Sequence, residues 1–171
     1  MDGISRCHAA ECRLEIGAEL AGIRGFNMTI DRRRNYTVLV AEDEDALQSL
    51  AIVTIKGKGL NVLAASSAEE AIRLWDRHAH DIVLLFTDIV LPGPMNGFDI
   101  ATHIRAKSPS VPVIFSSGHS RALLADGANV HEDAAYLTKP YRQVELSALI
   151  SKMLAARCLR AGADRRTMAR N

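Results

Sequence analysis

Residues 82–88 read Ile-Val-Leu-Leu-Phe-Thr-Asp (IVLLFTD). Five apolar residues and a threonine follow one another with no charge between them, and a carboxylate comes directly after. A run this short and this continuous predicts a strand covered on both faces, not one with a wet side. Asp88 then stands where a strand leaves the core, and a carboxylate there is costly to bury unless it has a task. Working outward, similar short runs occur at 36–41 (YTVLVA), 60–65 (LNVLAA), 111–116 (VPVIFS) and 134–138 (AAYLT). The segments between them change period. Ala68, Ala71, Ile72 and Trp75 fall at i, i+3, i+4 and i+7, as do Leu146, Leu149, Ile150 and Met153, so each set predicts a core-facing helical stripe. Ser67 with Glu70 three residues on predicts a capping box for the second helix, and Gly57 and Gly59 stop the first.

Five strand runs alternating with helical segments give a (βα)5 order. An α/β fold with a right-handed, doubly wound parallel five-stranded sheet follows. The fourth helix is expected to be short or degenerate, because residues 120–125 make little more than a turn before Asp126, Gly127 and Asn129 interrupt it.

Composition bounds the function. The chain has 171 residues, a net charge of +1, 48% apolar and 24% charged residues, the balance of a globular protein. No apolar stretch reaches the roughly 18–20 residues that cross a bilayer, and Asp2, Glu11, Glu15 and Glu19 break up the start, so neither secretion nor a membrane span is expected. Three cysteines, Cys7, Cys12 and Cys158, imply no disulfide framework; even with His8 they offer too few ligands for a zinc site, which suits free thiols in the cytoplasm. The charge is segregated. Residues 36–156 carry ten basic and fourteen acidic side chains, whereas 157–171 carry five arginines against Asp164. One domain with two extensions is expected: an N-terminal extension over 1–35, poorly ordered or a short helix, with Met28 as an alternative start; a globular body over 36–156; and a basic C-terminal tail over 157–171. That tail is too short to build a recognition helix beside an acidic body, so no nucleic-acid partner is expected.

In an open parallel sheet, ligands bind beyond the carboxyl ends of the strands. Glu42-Asp43-Glu44 follows the first run, Asp88 the third, Ser116-Ser117-Gly118 the fourth and Thr138-Lys139-Pro140 the fifth. Crowded carboxylates repel one another unless a cation joins them, and Mg²⁺ takes a few carboxylate oxygens plus waters. With its charge partly neutralised, an Asp can accept a phosphoryl group whose equatorial oxygens are held by a metal, a lysine and a hydroxyl. Lys139 and Ser117 suit those roles.

The stretches VLVAEDEDALQ (38–48), LLFTDIVLPGPMNG (84–97), PVIFSSGH (112–119) and AAYLTKPYR (134–142) resemble the receiver domains of two-component response regulators. The LPGPMNG loop is similar to receivers of hybrid histidine kinases, and FSSGH is similar to certain stand-alone receivers with a degenerate fourth helix. The resemblance implies the flavodoxin-like strand order 2-1-3-4-5. It implies Asp88 as phosphoacceptor, with Lys139 and Ser117 assisting. Glu42, Asp43, Asp88 and the backbone carbonyl of Val90 would hold Mg²⁺, and Ser117 and Tyr136 would form the switch. His119 would flank the phosphoryl group and tune its hydrolysis, unless it is an ordinary loop histidine; Tyr136 has the corresponding alternative of a plain core aromatic. Glu42 stands where many members have Asp, and Ser117-Gly118 where Thr-Ala is common; no functional group is lost.

The function expected is a stand-alone receiver in a phosphorelay, catalysing only its own phosphorylation and dephosphorylation. Its partners would be a histidine kinase or a histidine phosphotransfer protein and a downstream protein target, with a homodimer left open. Two alternatives stand beside it. A pseudo-receiver would bind partners without phosphorylation and predicts a missing acid or lysine. An aspartyl-phosphate hydrolase of the haloacid-dehalogenase type wants a second Asp two residues after the first, where this chain has Val90.

Overall fold

The computed structural model of the chain describes residues 36–118 and 134–168, with side chains of the last helix described as far as 157. The elements are β1 Thr37–Ala41, α1 Asp45–Lys56, β2 Asn61–Ala65, α2 Ala68–His78, β3 Ile82–Asp88, α3 Gly97–Lys107, β4 Val113–Ser117, β5 Ala134–Thr138 and α4 Gln143–Met168. All four strand pairings are parallel, and the order is β2-β1-β3-β4-β5. The sheet is the one the residue pattern and the resemblance predicted. The extension over 1–35 with Met28, Cys7, His8 and Cys12, the fourth connection and His119 lie outside the described residues, as does the side chain of Cys158.

Three of the five apolar runs form the three central strands. Every residue of β1, β3 and β4 is buried, while β2 and β5, at the edges, are partly exposed. Helices cover both faces. On one, Leu39, Ala41, Leu85, Val113 and Phe115 meet Ala68, Ala71 and Trp75 of α2 and Ile100, Ala101 and Ile104 of α3. On the other lie Val38, Val40, Leu84, Phe86 and Ile114, with Ala51 and Ile55 of α1 and Leu146 and Ile150 of α4 equally buried. Side chains alternate between the faces of a strand, so one continuous run supplies both cores. Trp75 is fully buried and core-facing; truncating it to Ala would cost about 3–5 kcal/mol.

One local expectation needs correction. Ser67 caps α2 by accepting from the Glu70 amide at 3.2 Å, but the Glu70 carboxylate accepts from the Ser66 amide at 2.9 Å, so the return bond falls one residue short of a capping box. The full box is at α3. There the Asn96 side chain accepts from the amides of Phe98 and Asp99, and the Asp99 carboxylate accepts from the Asn96 amide at 2.8 Å. The basic tail is part of the last helix. α4 continues through the expected boundary at 157 to Met168, and Arg157 donates to the Val83 carbonyl at 2.6 Å, so this arginine anchors the helix to β3. Ala155, Ala156, Leu159 and Arg160 are strong helix formers, which is why no break occurs there. At the end of α1, Gly59 takes φ 74°, the left-handed conformation glycine tolerates best.

Candidate functional site

Parallel strands bring their carboxyl ends to one edge, and the chemistry-bearing residues gather there. Glu42 follows β1, its amide extending the ladder to the Ala65 carbonyl at 3.1 Å. Asp88 ends β3, Ser117 ends β4, and Lys139 follows β5 with its amide on the Ser117 carbonyl at 2.8 Å. The Lys139-Pro140 peptide is cis.

The side chains converge. One oxygen from each of Glu42, Asp43 and Asp88 lies within 4.8 Å of the other two. Glu42 is fully buried, Asp88 nearly so, and Asp43 is exposed. Lys139 Nζ lies between the two buried acids, donating to Glu42 Oε1 at 2.8 Å and to Asp88 Oδ2. The Val90 amide donates to Asp88 Oδ1 at 3.1 Å, while the Val90 side chain faces solvent. The expected repulsion among three carboxylates is thus partly met by the protein's own lysine.

Burial pushes the Glu42 carboxyl up, against the opposing pull of Lys139. Burial also pulls Lys139 down, but hydrogen bonds and charges from Asp88 and Glu42 outweigh it and hold the ammonium above its ordinary value. Glu42 Oε1 is engaged by Lys139 and more loosely by the Glu44 amide at 3.3 Å, while Glu42 Oε2 is buried with no partner among the described residues. A hard cation carrying its own waters fits that donor set: unmet carboxylate capacity inside, and a third carboxylate on the solvent side.

Sequence reasoning missed three residues that shape this corner. Gln48 Nε2 on α1 donates to the Glu42 carbonyl at 2.7 Å and to the Ala65 carbonyl at 3.2 Å, tying the acidic loop to β2. Gly97 sits where a Cβ would overlap the Asp88 carbonyl oxygen, so the β3–α3 loop can return across Asp88 only without a side chain. Tyr141 is buried and packs edge-on against Phe86, ring centroids 6.0 Å apart. The signals were the MNG before α3 and the tyrosine two residues after Lys139, neither of which carries chemistry by type alone.

The two expected switch residues lie on adjacent strands. Ser117 is buried and registers with Thr138; Tyr136 registers with Phe115 and stacks on its ring at 5.5 Å. Phe115 in turn meets Phe98 of α3 at 4.8 Å. Tyr136 is 37% exposed, which sets it apart from a plain core aromatic.

Comparison with known proteins gives the same reading. The family model for the response regulator receiver domain matches residues 38–151. The chain is 27% identical over 118 residues to the sensor kinase CckA of Brucella abortus, covering 69% of this chain and 12% of that protein. It is 31% identical over 125 residues to the transcriptional regulatory protein CssR of Bacillus subtilis, covering 70% and 52%. It therefore spans about half, or much less, of these curated relatives. Among solved structures, a response regulator receiver protein from Sinorhizobium medicae superposes with a TM-score of 0.65 at 32% identity, covering 71% of this chain and 95% of that one. Receiver domains are signalling modules of two-component systems and not classical enzymes, and no described helix is long and apolar enough to cross a membrane. The carboxylate cluster at the strand ends and the doubly wound sheet beneath it are those of a receiver, and the chain belongs to the response regulator receiver domain family.

Proposed function

We propose that Asp88 accepts a phosphoryl group from a phosphohistidine on a histidine kinase or histidine phosphotransfer protein, and that the receiver then signals through a protein contact or passes the group onward. The observation that carries this reading is the convergence of Glu42, Asp43, Asp88 and Lys139 from three strand ends. An Asp88 carboxylate oxygen forms the new bond to phosphorus as the P–N bond breaks, and the imidazole leaves with the electron pair. Glu42, Asp43, Asp88 and the Val90 carbonyl would hold Mg²⁺, which when bound offsets charge on the transferring group. Lys139, already on Asp88, moves its donors to a phosphoryl oxygen, and Ser117 takes another. Phosphorylation draws Ser117 inward and Tyr136 follows along the paired strands, which biases the surface of β5 and α4 between two states. The partner at that surface is a downstream protein or a second copy of the chain.

The hydrolase alternative wants an acid at position 90 and meets an exposed valine. The pseudo-receiver alternative wants a gap among the acids or the lysine, and all are present. The test is transfer from a purified histidine phosphotransfer protein carrying labelled phosphohistidine. Label is expected to move to the wild-type chain in Mg²⁺ and not to Asp88→Asn; equal labelling of both would refute Asp88 as the acceptor.

A further inference from the structure

Two buried polar atoms at the site have no hydrogen-bond partner among the described residues, Glu42 Oε2 and the Tyr141 hydroxyl. They share one side of the sheet. Val40 registers with Phe86 across β1 and β3, and side chains alternate, so Glu42 and Asp88, each two residues further on, project to the face that carries Phe86. Tyr141 packs edge-on against that same Phe86 and is 6% exposed, which puts its ring on the face to which the acids project. A tyrosine hydroxyl keeps its proton at neutral pH and can donate; burial, and then the charges of Glu42 and Asp88, push the phenol further up. An acceptor and a donor, both buried and both without a partner among the described residues, thus lie on one face of the sheet. A buried polar atom left unmet is costly, whereas one shared water satisfies both.

We propose that Tyr141 is a positioning residue for the acid pair, its hydroxyl donating to a trapped water that donates in turn to Glu42 Oε2. Lys139 and the Glu44 amide hold the other oxygen, so the water fixes the remaining freedom of the carboxylate. A carboxylate oxygen has two lone pairs, and this arrangement leaves one of those on Oε2 for a hydrated cation. A phenylalanine at 141 would fill the same space against Phe86 and lack the donor.

The inference rests on the metal-site reading only in its consequence for Mg²⁺, so the experiment has an arm that does not. In chelator, denaturation of wild type, Tyr141→Phe, Glu42→Met and the double variant forms a thermodynamic cycle. Removing the hydroxyl should lower stability when Glu42 is present and not in the Glu42→Met background; the same change in both backgrounds would overturn the proposal. The tyrosine doublet in the Raman difference spectrum, wild type minus Tyr141→Phe, should report a hydrogen-bonded hydroxyl, and a free-hydroxyl signature would overturn it too. In calorimetry, Tyr141→Phe should bind Mg²⁺ about two- to tenfold more weakly, the change expected for one hydrogen bond. Unchanged affinity would refute the positioning role. None of these readings depends on whether Asp88 is phosphorylated.

Discussion

Two lysines in this molecule hold carboxylates in nearly the same geometry and in opposite surroundings. At the strand ends, Lys139 joins Glu42 and Asp88, with side chains 14%, 0% and 10% exposed. On the outer surface of α2 and α3, Lys107 and His103 meet Asp76 at 2.6 and 3.0 Å, with side chains 54%, 30% and 44% exposed. Water screens the second cluster, and such pairs contribute little to stability. The first has given up its hydration, so each charge there depends on the others and on whatever joins them. Distance alone does not separate a functional charge cluster from a decorative one; burial and an acceptor left unmet do.

The comparison breaks most visibly at the lysines. Lys139→Met leaves two buried carboxylates facing each other and should cost about 3 kcal/mol in metal-free denaturation, with Mg²⁺ restoring more of the loss than it adds to wild type. Lys107→Met should shift the midpoint only slightly, and equally with and without metal. Gly97→Ala comes next, since its Cβ must push the Asp88 carbonyl or move α3; overpacking of this kind costs about 1–3 kcal/mol in urea denaturation and should reduce phosphorylation as well. Asp43→Ala separates function from fold. Asp43 is exposed, so stability should hold while Mg²⁺ affinity in calorimetry falls by at least about tenfold, the loss that even outer ligands of metal sites incur.

The smallest effect belongs to the exposed cluster. Hydrogen bonds from Lys107 and His103 hold the Asp76 carboxyl below its ordinary 3.8, so its contribution is present above that pH and lost as the pH falls through the lowered value. Melting curves of Asp76→Asn and wild type should differ slightly above about pH 4, converge in stronger acid, and lose their difference in high salt.

The parts of the fold that showed in the sequence are those where one residue face decides the element. β1, β3 and β4 are covered on both sides, and their nearly continuous apolar runs said so; the α2 stripe ending in Trp75 did the same. The site residues showed because carboxylates and a lysine at strand ends have few other reasons to be there. What stayed hidden depends on partners distant in sequence. Arg157 was grouped with the basic tail because nothing local revealed the Val83 carbonyl it reaches, 74 residues away. Lys139 as an internal counterion could not be weighed before its ammonium was seen between Glu42 and Asp88. Gly97 and Tyr141 matter through close approach and burial, which residue type does not encode.

The central claim is that the buried cluster is a phosphoacceptor site built on Asp88. Intact mass after incubation with acetyl phosphate tests it most directly, for wild type and Asp88→Asn, each with Mg²⁺ and with chelator. Wild type should gain the mass of one phosphoryl group in Mg²⁺ alone, and the variant should gain none in either condition. A gain by the variant equal to that of wild type, or a gain by wild type undiminished in chelator, would contradict the account.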